Sequence, residues 1–176
     1  MNIAQPIYTE KNNCQDCYKC IRYCPVKAIK IANDCASVID DLCIACGKCV
    51  EVCPVGAKKV RSDIDIIKML IRKGDKVILS LAPSWVSSFQ GVDSQAMVSA
   101  LKELGFFAVS ETALGAEMVN RHTRKFLCKN DAGVVISSAC PVIVDLINRH
   151  YPQSSSKILP ALSPLMAHAK YLKECY

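Results

Sequence analysis

Residues 14–31, CQDCYKCIRYCPVKAIKI, and residues 43–60, CIACGKCVEVCPVGAKKV, align without a gap at an offset of 29 residues. Each copy reads C-x2-C-x2-C-x3-C-P. Besides the cysteines they share Lys19/Lys48, Pro25/Pro54, Val26/Val55, Ala28/Ala57 and Lys30/Lys59. A segment this short cannot bury a core of its own, so the copies are expected to pair. Ile29–Ile31 and Ser37–Ile39 read as short strands on either side of an Asn33–Asp34 turn. Short helices are expected after Cys20 and Cys49.

The chain holds 12 cysteines in 176 residues, and none precedes Cys14. After Cys53 only Cys128, Cys140 and Cys175 follow. Such density means disulfides, metal or redox chemistry. Met1–Asn13 has no continuous apolar stretch of the kind a secretory signal carries, so a reducing compartment is expected, where thiolate–metal bonds are favoured over disulfides. One C-x2-C pair would leave structural zinc open. Two complete quartets, each with its trailing proline, favour 4Fe–4S clusters. Cys35 stands outside both quartets beside the hairpin turn and reads as a small apolar side chain.

Over residues 6–60 the sequence resembles a two-cluster bacterial-type ferredoxin domain. That resemblance implies that the fourth cysteine of each run ligates the other cluster. Cluster one would take Cys14, Cys17, Cys20 and Cys53. Cluster two would take Cys43, Cys46, Cys49 and Cys24. The spacing is compatible with the crossing: three cysteines wrap one face of a cube, and a short helical turn carries the fourth away. The proline then closes the loop without offering a donor. Gly47 suits a close backbone approach, although Tyr18 fills the matching slot. Ile21, Val50, Ala45 and Ala57 would exclude water and tune the potential.

The formal charge of +6 counts cysteines as neutral. A core of roughly 2+ on four thiolates leaves about 2− per site, so two sites bring the protein to about +2. Lysines and arginines are also scattered along the chain, as an electrostatic frame for the clusters or as an ordinary solvated surface. Neither pattern argues for nucleic acid. No run of about 20 apolar residues is present. The longest candidate, Ala132–Ile147, is broken by Ser137, Ser138, Pro141 and Asp145. A soluble, cytoplasmic protein is expected.

The drop in cysteine content marks a boundary, dividing the chain into an α+β two-cluster domain over residues 1–61 and a second domain over residues 62–176. In the second, helical periodicity over Asp63–Arg72, Ser94–Leu104, Glu111–Phe126, Pro141–Asn148 and Ser163–Lys173 alternates with strand candidates at Lys76–Leu81, Phe106–Val109 and Gly133–Ser137. Alternation of this kind predicts an α/β unit with a mainly parallel sheet. Met69, Met97, Met118 and Met166 occupy apolar helix positions and are expected in the core. His122, His150 and His168 have no metal-type spacing, Trp85 reads as a partly buried anchor, and no glycine-rich phosphate loop is present.

Cys140, in VVISSACPVIVDLI, falls where a strand should end and a helix begin. Strand carboxyl ends collect ligands in α/β sheets, and a helix N-terminus stabilises a thiolate. Pro141 suits the first helical position. A buried structural cysteine fits the same placement. SSACPVIVDLINRHYPQ followed by LSPLMAHAKYLKE, with LSLAPSWVSSF and MVSALKELGFFAVSETALGAEMV upstream, resembles the opening of the catalytic domain of iron-only (FeFe) hydrogenases over residues 64–174. The resemblance implies that Cys140 binds the 4Fe–4S part of the catalytic H-cluster. The proton-relaying cysteine that precedes it in the family is Ala139 here, and a methyl group carries no proton. The family's later H-cluster cysteines do not follow before Tyr176, so a fragment, a truncated form or a remnant is expected. No catalytic residue is assigned.

The expected role is electron transfer with a redox partner protein, feeding a hydrogenase-like domain of anaerobic type. Ala139 favours an alternative, a redox or hydrogen sensor. A cluster-assembly scaffold is a third reading. Oligomeric state and the identity of the partner are left open by the sequence.

Overall fold

The computed structural model describes residues 6–129 and 133–176. In chain order the elements are β1 (Ile7–Thr9), α1 (Lys19–Tyr23), β2 (Ile29–Ala32), β3 (Cys35–Val38), α2 (Lys48–Glu51), β4 (Lys58–Val60), α3 (Ile64–Lys73), β5 (Ile78–Leu81), α4 (Trp85–Ser88), α5 (Ser94–Glu103), β6 (Ala108–Glu111), α6 (Thr112–Lys129), α7 (Pro141–His150) and α8 (Pro164–Cys175). They fall into two compact units. One joins Met1–Ser62 to Pro141–Ser156, and the other joins Asp63–Cys140 to Lys157–Tyr176.

The repeat is written into the backbone of the first unit. β2 and β3 form an antiparallel pair in which Ile29 faces Val38 and Ala32 faces Cys35. β1 and β4 form a second antiparallel pair, with Thr9 facing Lys58 and Ile7 facing Val60. The 29-residue offset carries Ile29 onto Lys58 and Thr9 onto Val38, so the two ladders are equivalent. Left-handed backbone recurs at the same repeat positions: Asp16 and Ala45, Tyr18 and Gly47, Lys27 and Gly56. Only two of these six are glycine, although the left-handed region costs other residues about 1–2 kcal/mol each. Asn33 and Asp34 also have positive φ, 51° and 53°, which is the backbone a tight two-residue hairpin needs. Ile7, Ala28, Ile29 and Ala36 pack with Cys20, Cys24 and Cys49 to form the core. α7 extends this unit: Arg149 donates to Asp40 O at 2.6 Å, and His150 Nε2 lies 3.0 Å from Leu42 O.

The second unit is built on a parallel pair, β5 and β6, from Ile78 facing Ala108 to Leu81 facing Glu111. Its helices end where local chemistry dictates. Gly74, at φ +85°, closes α3, with its N–H bonded to Ile71 O and the Asp75 N–H to Leu70 O. The Asp93 carboxylate accepts from Ala96 N at 2.8 Å to start α5. Ser163 caps α8 ahead of Pro164 in the same way. α6 and α8 cross closely at Gly115, where a Cβ would sit 2.1 Å from Pro164 O and 2.7 Å from His168 Cβ.

Two expectations for this unit are corrected. The third strand, Gly133–Ser137, shrinks to a single parallel bridge between Ile136 and Ile158. Its partner segment reaches Pro160 two residues later, and proline cannot donate to a ladder. Of the four methionines expected in the core, only Met97 is buried, while Met69, Met118 and Met166 are exposed. Their helices do carry apolar stripes, but a two-stranded sheet is too small to cover every one. The fold is thus a mixture of helices and small sheets, one of them parallel. Among the described residues no helix is long and apolar enough to cross a membrane.

Candidate metal centre

The local backbone aims each cysteine run inward. The left-handed residues at Asp16 and Tyr18, and at Ala45 and Gly47, coil the chain between cysteines. α1 and α2 then start at Lys19 and Lys48, which buries Cys20 and Cys49 on their inner faces. After each short helix the chain turns through Cys24–Pro25 and Cys53–Pro54 toward the opposite end of the unit.

Two cavities result. One is lined by Cys14, Cys17, Cys20 and Cys53 together with Tyr18, Ala36 and Lys58. The other is lined by Cys24, Cys43, Cys46 and Cys49 together with Ile7, Val38 and Gly47. Each cavity therefore gathers three cysteines of one run and the fourth of the other. The remaining walls are largely apolar. Cys17 and Cys46 are exposed at the cavity mouths, whereas Cys20, Cys24 and Cys49 are buried.

The donor chemistry fits a multi-iron group better than a single ion. A zinc ion draws four sulfurs to about 2.3 Å from one point. Here the four thiols of each set line the walls of a shared cavity. Among the described residues no three His, Cys, Asp or Glu side chains converge on a single metal position. Backbone N–H groups are turned toward sulfur, as thiolate ligands require: Ala28 N to Cys24 Sγ at 3.2 Å and Ala45 N to Cys43 Sγ at 3.4 Å.

The thiols differ in acidity for identifiable reasons. Hydrogen bonding from the backbone of Ala36, and then of Asp16, lowers the Cys14 pKa. Burial opposes ionisation of Cys53, but backbone groups of Lys58, Val55, Ala57 and Gly56 outweigh it and its pKa is lowered. Burial raises the pKa of Cys20 and of Cys49, and in both the positive charge of Lys58 is the largest opposing influence. Cys35, the ninth cysteine of this unit, is buried and its pKa is raised by burial and by its contact with Cys14.

Cys140 stands apart. It is exposed, and it directly precedes Pro141, the first residue of α7. Ser138, two residues earlier, is buried and donates to Ala161 O at 2.8 Å. Cys128 and Cys175 are exposed as well.

Sequence reasoning passed over two polar groups. Lys58 is 2% exposed, and its ammonium donates to Thr9 Oγ1 at 2.6 Å and Ala36 O at 2.9 Å. The signal for it was the repeat, because the matching residue is Ile29. His168 is completely buried in the second unit, with Nδ1 2.8 Å from Ser80 Oγ and Nε2 2.9 Å from Ser110 Oγ. Thr112 Oγ1 lies 2.7 Å from Ser80 Oγ and extends this network. It ties the parallel pair to α8. No spacing along the chain announced it, since Ser80 and His168 are 88 residues apart.

Comparison with known families agrees with this arrangement. Two family models described as a 4Fe-4S binding domain match, one over residues 11–27 and one over residues 36–59. The protein is thus of the iron–sulfur class, with 4Fe–4S binding domains that support an electron-transfer role. A third family model, described as the C-terminal domain of the iron only hydrogenase large subunit, matches residues 75–176, more than half of the chain. The chain belongs to this family of iron-only hydrogenase C-terminal domains, with ferredoxin-type cluster-binding domains preceding the matched region. No match was found among curated proteins.

Proposed function

We propose that the protein carries two 4Fe–4S clusters and passes electrons between a redox partner protein and its own hydrogenase-like domain. Residues 1–61 would form a ferredoxin-like cluster domain and residues 62–176 the hydrogenase-like part. Cys14, Cys17, Cys20 and Cys53 hold the first cluster, and Cys43, Cys46, Cys49 and Cys24 hold the second. The observation that carries this reading is that each of these crossed sets lines one cavity. Bound clusters supply reversible one-electron chemistry. The chain supplies the rest. The N–H groups of Ala28 and Ala45 stabilise thiolate, the apolar walls exclude water, and the exposed edges at Cys17 and Cys46 offer a partner close approach.

Cys140 is the residue proposed to reach toward an H-cluster-type site, because it matches that position in the family. The alternative role, a redox or hydrogen sensor, is favoured by one feature: Ala139 stands where a proton-relaying thiol would be needed for turnover. Anaerobic reconstitution is expected to load about eight iron and eight sulfide per chain. Stoichiometric zinc in place of iron would overturn the reading. Hydrogen evolution by the reconstituted chain would rule against the sensor.

A further inference from the structure

The two ladders of the first unit are equivalent in backbone but not in chemistry. In one, the facing pair next to the core is Ile29 and Val38, both apolar. In the other the same two positions hold Lys58 and Thr9. The apolar solution therefore already satisfies this fold. Putting an ammonium there instead is costly, because a buried charge needs a counter-charge. The hydrogen-bond partners of the Lys58 ammonium are two neutral oxygens, Thr9 Oγ1 and Ala36 O. An ammonium has three donors, so at least one N–H and the whole positive charge remain to be matched. Lys58 lines the first cavity, and its charge acts on Cys20 of that cavity and on Cys49 of the other. The carboxylate that lines the first cavity with it is Asp16, whose Oδ1 is buried without a partner.

We propose that Lys58 is a buried counter-cation for the first iron–sulfur cluster, holding its reduction potential above that an apolar residue would allow. The inference rests on the two-cluster reading above. Each reduction brings one electron from the partner protein and adds one negative charge to a site that is already anionic. No bond is made or broken and no proton is required. The fixed ammonium stabilises the more negative state, and because it is buried, salt screens it little. Lys58 is a positioning residue: it does not hold iron.

The test uses the full-length chain, reconstituted anaerobically, in three forms: the unaltered protein, Lys58→Met, and the double variant Thr9→Val/Lys58→Ile. The double variant rebuilds the Ile–Val pair of the other ladder. In Lys58→Met the Thr9 hydroxyl keeps its hydrogen bond to Ala36 O. Iron and sulfide are counted first, and redox titrations are then followed by electron paramagnetic resonance at low salt and at about 1 M salt. Both variants should keep the unaltered protein's iron content. In each variant the equilibrium constant for reducing the first cluster should fall about tenfold, a shift of about 59 mV to lower potential for a one-electron couple, and the shift should persist at high salt. Full iron with unchanged potentials would overturn the proposal, as would a shift that high salt abolishes. Loss of iron from both variants, but not from the unaltered protein, would assign Lys58 to assembly and also overturn it. Failure of the unaltered protein to bind eight iron would instead count against the two-cluster reading.

Discussion

The cysteines of the first unit and those of the second have the same chemistry but opposite surroundings. Eight of the first group line two cavities whose walls are otherwise mostly apolar, with backbone N–H groups turned toward sulfur. In the second unit Cys128, Cys140 and Cys175 are each exposed. A thiolate becomes a cluster ligand only when three others are held at the right separation, and that requires a backbone coiled for the purpose. The first unit provides such a backbone through paired left-handed turns. Around Cys140 the structure provides a helix start and an exposed thiol, and the described residues gather no group of three His, Cys, Asp or Glu side chains there that could hold a metal ion. Motif resemblance and site completeness are therefore separate matters. Cys140 lies within the region matched by the hydrogenase family model, whereas the quartets come with their cavities.

The strongest effect should come from undoing one half of this contrast. Cys49→Ala and Cys24→Ala should each remove the same cluster, although they lie in different runs. Each should cut iron by about half, because crossed ligation divides eight iron equally. Cys53→Ala should remove the other cluster, distinguishable by its resonance spectrum. If Cys24→Ala and Cys20→Ala were to remove the same cluster, crossed ligation would be wrong.

A somewhat weaker effect should appear in the second unit alone. Gly115→Ala forces a Cβ against Pro164 O and His168 at the crossing of α6 and α8. Overpacking of this kind costs about 1–3 kcal/mol. Denaturant titration should show the loss while the iron content stays the same. A parallel fall in iron would mean that the two units are not energetically separate.

A smaller change tests how alike the two runs are. Lys27 is exposed at φ +53°, where the other run has Gly56 at φ +62°. Lys27→Gly should stabilise the loaded protein by about 1 kcal/mol or less, since the relief of backbone strain is partly offset by a more flexible unfolded chain. A marked destabilisation would show that the Lys27 side chain, whose Nζ donates to Arg22 O, carries more weight than the backbone.

The last expectation is of no change. Cys140→Ser should leave the iron and sulfide content of the reconstituted chain as it was, because the exposed thiol belongs to neither cavity. A loss of iron in this variant would join Cys140 to a cluster and erase the contrast between the two groups.

Much of the site was legible because its information is local. Cysteine spacing, the trailing prolines and the 29-residue repeat lie within short windows, and so does the Asn33–Asp34 hairpin. Helix limits in the second unit were legible for the same reason, the periodicity from Asp63 stopping short of Gly74 and that of the last helix starting at Ser163. β1 and β4 were not. Each is only three residues long, and they pair across about fifty residues of chain. The third strand of the second unit was read as longer than it is, because an apolar run signals burial without saying whether a partner strand is available.

Residue type and short spacing were enough to mark an iron–sulfur chain with a hydrogenase-like region, because ligand chemistry depends on little else. Packing decided which four cysteines share a cavity, since that depends on how the two runs pair. It also decided that Lys58 lies buried where Ile29 sits in the other copy, with its charge acting on cysteines of both cavities, and that His168 is sealed between Ser80 and Ser110. Burial and charge at a distance are properties of the packed molecule, and no window of sequence contains them.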